Sequence, residues 1–258
     1  MLPTTCADEP PERQSAERRR AAPRSTPFLL SVKTVSASES GPNPYRMTAV
    51  VPVKSLTMAK TRLALPAEQR KALALAFALD TISALLDSPV VSGVVVVTSE
   101  PIVACRLPQR LVRVVPDNGA GLNSAVRSGI RSAMAWKPAT GIVVVPADLP
   151  CLRADDVTLV LEEARTMQGA FVPDWSATGT TLLIYPPGRT VVARYGPGSA
   201  ARHRALGLHP LPGAPVRARH DVDTVEDLRV AMVLGTGPET AAAVAAMDGR
   251  GGLDQHAQ

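Results

Sequence analysis

The chain has 258 residues, 45% apolar and 20% charged, so it can bury a core and is not disordered throughout. Only 3% of residues are aromatic, which leaves no stacking platform for single-stranded nucleic acid, and Cys6, Cys105 and Cys151 show no C-x-x-C spacing, against a disulfide scaffold or zinc ribbon. The net charge of +5 is spread thinly (seven Lys or Arg against five Asp or Glu in residues 1–46, a similarly mild surplus beyond), which is not the dense stripe that grips nucleic acid.

Residues 1–46 are rich in Pro, Ser, Thr and Arg, with one cluster, Arg18-Arg19-Arg20, and no apolar periodicity. They read as a disordered or over-called N-terminal extension, unlike a secretory signal or transit peptide. Directly after Met47 a strand is expected over 48–53, then a loop over 54–65. Pro66 opens an Ala/Leu helix to about Asp87. VSGVVVVT (91–98) is a continuous apolar strand, as expected when both faces are covered. Further strands are expected over 111–115, 142–145, 170–173 and 180–185. Helices are expected over 122–136, from Asp155 to about Met167, over 199–206, from 225 to Leu234 with Gly235 as stop, and over 238–247. This order predicts an α/β fold, a mostly parallel sheet with helices on both faces, in one domain over 47–236 followed by a C-terminal helix and tail over 237–258. Ligands in such sheets sit beyond the carboxyl ends of the strands, where strand order switches. No apolar run reaches a bilayer span, so the chain reads as soluble and cytoplasmic, with no membrane partner.

Five segments carry candidate chemistry. After the first strand, VKSLTMAKTR places Lys54, Lys60 and Arg62 within nine positions, with Ser55, Thr57 and Thr61 hydroxyls between them. Charge plus short donors suits a polyphosphate, though the segment lacks both the Walker pattern and a Gly-rich turn, and a solvated basic loop is the plainer reading. Asp148 in PADLP follows a buried strand, a suitable place for a Mg²⁺ ligand or for a turn aspartate. In HDVDT, Asp221 and Asp223 stand two apart, so in extended backbone they share a face and can aim at a metal shared with Asp148, while Asp223 or Thr224 caps the next helix. In DNGAGLN, Gly121 lets backbone donors approach a ligand, and Asn123 offers a donor–acceptor pair to a base or ribose. Gly196 and Ser199 of RYGPGS are candidates for an anion nest at the start of the helix over 199–206. The histidines show no i, i+4 ligand spacing, against a zinc site.

Taken together, VPVKSLTMAKTRL, NGAGLN, VPADLP, TGTT, RYGPGSAARH and DVDTVEDL resemble, in the same order, the guanylyltransferases of coenzyme F-420 biosynthesis, which act on 2-phospho-L-lactate or phosphoenolpyruvate. The likeness spans about 48–234. It implies a three-layer, Rossmann-like nucleotidyltransferase fold with a mostly parallel mixed sheet, and transfer of GMP from GTP to a small phosphorylated three-carbon acid with release of pyrophosphate. By that likeness Asp148, Asp221 and Asp223 would hold Mg²⁺, Thr180, Gly196 and Ser199 would bind the acid, and the product would be handed to the next enzyme of the pathway. Lys54, Lys60 and Arg62 would then hold the leaving pyrophosphate. Two alternatives stand beside this reading. One is a nucleotidyltransferase for a molybdopterin or sugar phosphate, whose relatives usually open with L-x-G-G-x-x-x-R-M; the other is a non-enzymatic binding module.

Overall fold

Seven strands form one sheet in the order β3-β2-β1-β4-β6-β5-β7. In the computed structural model these are β1 (Met47–Pro52), β2 (Val91–Val97), β3 (Val112–Val115), β4 (Gly141–Val144), β5 (Ala170–Pro173), β6 (Thr180–Tyr185) and β7 (His209–Pro210). The structure describes residues 45–57 and 60–248, so the extension expected over 1–46 lies, apart from its last two residues, outside the described residues. β1 pairs in parallel with both β2 and β4, and β2 with β3; β6 runs antiparallel to β4 and β5. The sheet is therefore mixed, with a parallel half that contains the switch in strand order at β1.

The helices are α1 (Ala67–Asp87), α2 (Pro101–Arg106), α3 (Leu122–Trp136), α4 (Ala154–Glu163), α5 (Ser199–Ala205), α6 (Val216–Arg219), α7 (Val225–Leu234) and α8 (Pro238–Asp248). Alternation along the buried strands assigns their residues to two layers. Ala49, Val51, Val94, Val96 and Val143 pack with Ala78, Ile82 and Leu161 from α1 and α4. Val50, Val95, Val97, Ile142 and Val144 pack instead with Val126 and Ile130 of α3. Each fully buried aliphatic side chain contributes about 1.5–3 kcal/mol, which is why an unbroken Val run can serve both faces. α3 lies so close to the sheet that a Cβ on Gly129 would overlap Val50 and come within 2.8 Å of Val97.

Local differences from the expected elements have simple causes. Asp155 does not open α4; Arg153 is the N-cap, and the carboxylate that closes the capping box is Asp156, whose Oδ2 accepts the Arg153 N–H at 3.1 Å. Buried Asp156 also accepts two hydrogen bonds from the Arg217 guanidinium, at 2.8 and 2.9 Å. α8 is seated on the domain. Asp80 of α1 is buried and accepts the N–H groups of Glu239 and Thr240 in the first turn of α8, and Val244 and Met247 pack with Leu63 and Phe77. Among the described residues no helix is long and apolar enough to cross a membrane.

Candidate active site

A cleft of about 600 Å³ opens beyond the carboxyl ends of β1 and β4, where the strand order reverses. Three chain segments from distant parts of the sequence build its polar wall. The first follows β1 and carries Lys54, Lys60 and Arg62; the second follows β4 and carries Asp148; the third precedes α7 and carries Asp221 and Asp223. The Val222 N–H donates to the Asp148 carbonyl at 3.0 Å, which lays the second and third segments side by side. Val222 itself is fully buried, so its neighbours Asp221 and Asp223 face the cleft together, as the extended spacing predicts. The third segment then stops at Thr224, whose hydroxyl caps α7 in a reciprocal box with Asp227.

Lys60 is the centre of this wall. Its ammonium donates to Asp148 Oδ2 at 2.7 Å and to Asp223 Oδ1 at 2.9 Å, and the side chain is only 9% exposed. Burial alone would lower its pKa, but the two carboxylates outweigh that and hold it above the usual lysine value. Burial likewise works to raise Asp223, yet Lys60, followed by Arg62 and Lys54, leaves it below the ordinary carboxylate range. Lys60 also adopts φ +56°, an uncommon backbone conformation for a side-chain-bearing residue. Arg62 reaches Asp223 only loosely, at 3.8 Å.

Asp221 has no such partner. Burial first, and the Asp148 charge second, push its pKa up to about 7 from 3.8. The folded chain thus keeps a proton between pH 4 and 7 that the unfolded chain has released. The group's contribution to stability is full below about pH 4 and is lost as pH rises towards 7. Asp221→Asn is therefore expected to raise the metal-free melting temperature at pH 8 by several degrees, at roughly 2–4 °C per kcal/mol, with a smaller gain at pH 5. An equal gain at both pH values would contradict this.

The three aspartates line one wall, but among the described residues no three Asp, Glu, His or Cys side chains converge as a ready metal site. The ammonium of Lys60 lies between two of them. The donor set nonetheless suits a hard cation. Asp148 Oδ1 is buried and has no hydrogen-bond partner, an expensive state for a carboxylate oxygen unless a cation faces it.

Another part of the cleft carries one acidic side chain, Asp174, whose carboxylate is engaged by backbone N–H groups. Thr180 at the start of β6, Gly196, and Ser199 at the start of α5 all line it. The loop 194–198 is held by Arg202, which donates to the carbonyls of Arg194 at 3.0 Å and Pro197 at 2.6 Å. The anion nest expected here is altered in one respect: the N–H groups of Ser199 and Ala200 are spent on the carbonyls of Gly196 and Thr178, at 3.0 and 3.1 Å.

Three expected nucleotide contacts are not brought into the cleft. Ser55 bonds Thr57 through its hydroxyl at 2.9 Å on the exposed side of the loop. Gly121 is the N-cap of α3, with φ +88°, and stands outside the lining. Asn123 uses both ends of its amide on the Tyr195 backbone, donating at 3.0 Å and accepting at 2.9 Å, so it positions Tyr195 instead of reaching for a base. Residues missed in the sequence include Asp174, which lines the cleft and accepts the Thr178 and Gly179 N–H groups at 3.0 and 2.8 Å, and Tyr195, whose hydroxyl donates to the Val144 carbonyl at 3.2 Å. An Asp five positions before a Gly-Thr turn was the available signal for the first; nothing local marks the second.

The fold is an α/β domain whose cleft lies at the switch in strand order. The crystal structure of a 4-diphosphocytidyl-2C-methyl-D-erythritol synthase shares the fold, with a TM-score of 0.51 at 17% identity over 74% of this chain and 99% of that one. The chain belongs to the family described as guanylyl transferase CofC like, whose family model matches residues 47–244. It is similar to the phosphoenolpyruvate guanylyltransferase of Salinispora arenicola (strain CNS-205), 48% identical over 200 residues, 75% of this chain and 91% of that protein. The enzyme of the same name from Streptomyces scabiei (strain 87.22) is 45% identical over 206 residues, 77% of this chain and 95% of that protein. The guanylyltransferase expectation from the sequence motifs is borne out at the level of family and enzyme class.

Proposed function

We propose that this guanylyltransferase joins GMP from GTP to phosphoenolpyruvate, with release of pyrophosphate, as a cytoplasmic step in the biosynthesis of coenzyme F-420. The observation that carries the reading is the lining of the cleft: Lys54, Lys60 and Arg62 beside three aspartates from distant segments, and hydroxyls and backbone around Thr180, Gly196 and Ser199. A triphosphate needs the cations. A small phosphoacid bound beside it is held by neutral donors. The names of the relatives favour phosphoenolpyruvate over 2-phospho-L-lactate.

In the reaction an oxygen of the acceptor phosphate attacks the α-phosphorus of GTP, and the bond from that phosphorus to the oxygen bridging to the β-phosphate breaks. Two polyanions must meet. A pair of unit charges at 4 Å repels by about 4 kcal/mol at an effective dielectric near 20, so Lys54, Lys60 and Arg62, together with a cation held by Asp148, Asp221 and Asp223, would lower the cost of the encounter. Lys54, Lys60 and Arg62 would hold the departing pyrophosphate. The attacking oxygen is already ionised, so no side chain has to remove a proton. Asp148, Asp221 and Asp223 would hold Mg²⁺, which supplies charge neutralisation and alignment at the phosphates. The product, an anhydride of two phosphates, would pass to an enzyme that uses it as an activated donor.

The test is pyrophosphate release with each of four NTPs against phosphoenolpyruvate, 2-phospho-L-lactate and 3-phosphoglycerate. Release confined to GTP with phosphoenolpyruvate supports the proposal; a preference for another acceptor or another NTP overturns it. The metal assignment has its own test. If Lys60 stands in the cation's place, Lys60→Met is expected to tighten Mn²⁺ binding by the nucleotide-free protein about tenfold, equivalent to roughly 1.4 kcal/mol. Paramagnetic resonance of free Mn²⁺ reads this directly, and unchanged or weaker binding would contradict it.

A further inference from the structure

We infer that His203, a residue outside the cleft lining, is a positioning residue for the acceptor anion: it turns the Thr180 hydroxyl into a hydrogen-bond donor aimed at the cleft and fastens the loop that carries Gly196. The inference rests on the proposed acceptor half of the site.

The His203 ring is fully buried and makes a hydrogen bond at each nitrogen. The backbone N–H of Arg194 points at Nε2, with 3.0 Å between the nitrogens. An amide N–H can only donate, so Nε2 is the bare, accepting nitrogen and the ring proton sits on Nδ1. Nδ1 lies 2.8 Å from Thr180 Oγ1, and in this tautomer it is the donor of that bond.

The direction of that bond has a chemical consequence. A hydroxyl that accepts from the ring keeps its own proton for another partner, and Thr180 lines the cleft. In the opposite tautomer Thr180 would spend its proton on the ring and turn lone pairs towards an incoming carboxylate or phosphate. The fixed tautomer thus gives Thr180 the polarity an anion needs, while the nearby Asp174 carboxylate is occupied by the Thr178 and Gly179 N–H groups.

Packing keeps the arrangement in place. Tyr195 meets the ring edge-on at 5.4 Å between centroids, and Phe171 lies at 5.9 Å, tilted by 52°. Burial, and then the charge of Arg202, hold the imidazole pKa down at about 4, so the neutral form persists at neutral pH. One buried ring therefore joins β6, the loop 194–198 and α5.

The test is steady-state kinetics of the full chain with GTP and phosphoenolpyruvate for Thr180→Val, His203→Phe, the double variant and His203→Asn. Thr180→Val and His203→Phe are each expected to raise the KM for phosphoenolpyruvate about tenfold, the worth of one hydrogen bond to a charged partner, with the KM for GTP within about twofold of wild type. The double variant is expected to be no worse than His203→Phe alone, because without the ring N–H to orient it the Thr180 hydroxyl no longer serves the anion. His203→Asn, which keeps an amide N–H near the place of Nδ1, is expected to recover part of the loss, and serves if His203→Phe does not fold. Fully additive losses, equal loss for both substrates, or an Asn variant as impaired as Phe would overturn the positioning role. If His203→Phe alone is silent, the acceptor reading stands and His203 drops out; if Thr180→Val is silent, both fail.

Discussion

Asp148→Asn is expected to lower turnover by about 10²–10³-fold, the cost of removing one key electrostatic group, with little change in melting temperature. The substitution keeps the shape of the side chain, and the backbone carbonyl of Asp148 still receives the Val222 N–H, so the wall stays assembled. What it removes is the charge. Asp148 is the carboxylate that anchors Lys60 at 2.7 Å while leaving Oδ1 buried and without a hydrogen-bond partner. Circular dichroism and a melting curve check the fold, and pyrophosphate release checks the rate. A variant within a few-fold of wild type would mean that PADLP is only a turn.

Gly196→Val is expected to raise the KM for the phosphoacid at least tenfold and to leave the KM for GTP nearly unchanged. Gly196 has φ +120°, where a β-branched residue is strained by about 1–3 kcal/mol. A Cβ there also comes within 3.3 Å of Arg202 Nη2, and Arg202 is the clamp on the carbonyls of Arg194 and Pro197. The strain therefore lands on the loop beside Ser199 and not on the cationic wall. Equal damage to both substrates would show that the loop holds the fold together and sorts no ligand.

Much of this arrangement was legible in the sequence, for physical reasons that differ by residue. The Val runs of β1, β2 and β4 announced strands covered on both faces, and the i, i+2 spacing of Asp221 and Asp223 placed both in the cleft because Val222 between them turns inward. Strand-end position alone located Asp148. A mixed sheet was expected from the family resemblance, but the residues alone did not mark which strands run antiparallel, since β5 and β6 carry the same apolar pattern either way. α2 went unread although Pro101 at its first position signalled a start, and β7, two residues long, carries no periodicity to read.

Side-chain roles set by long-range pairing were beyond reach. Asn123 looked free to meet a base, and only folding reveals that Tyr195, 72 positions away, takes both ends of its amide. Lys60 looked like a phosphate ligand alone, yet its ammonium lies between carboxylates that follow it by 88 and 163 positions. His203 was set aside for want of ligand spacing, and its partners Thr180 and Arg194 act through tautomer geometry that no spacing encodes.

The most direct measurement is ³¹P nuclear magnetic resonance of the protein incubated with GTP, phosphoenolpyruvate and Mg²⁺. The expected result is loss of the GTP and phosphoenolpyruvate resonances, growth of pyrophosphate, and two coupled doublets in equal amounts from a product that joins the acceptor phosphate to GMP. Inorganic phosphate with GDP as the only new coupled pair, or pyrophosphate with free GMP, would show attack by water and contradict transfer to the acceptor.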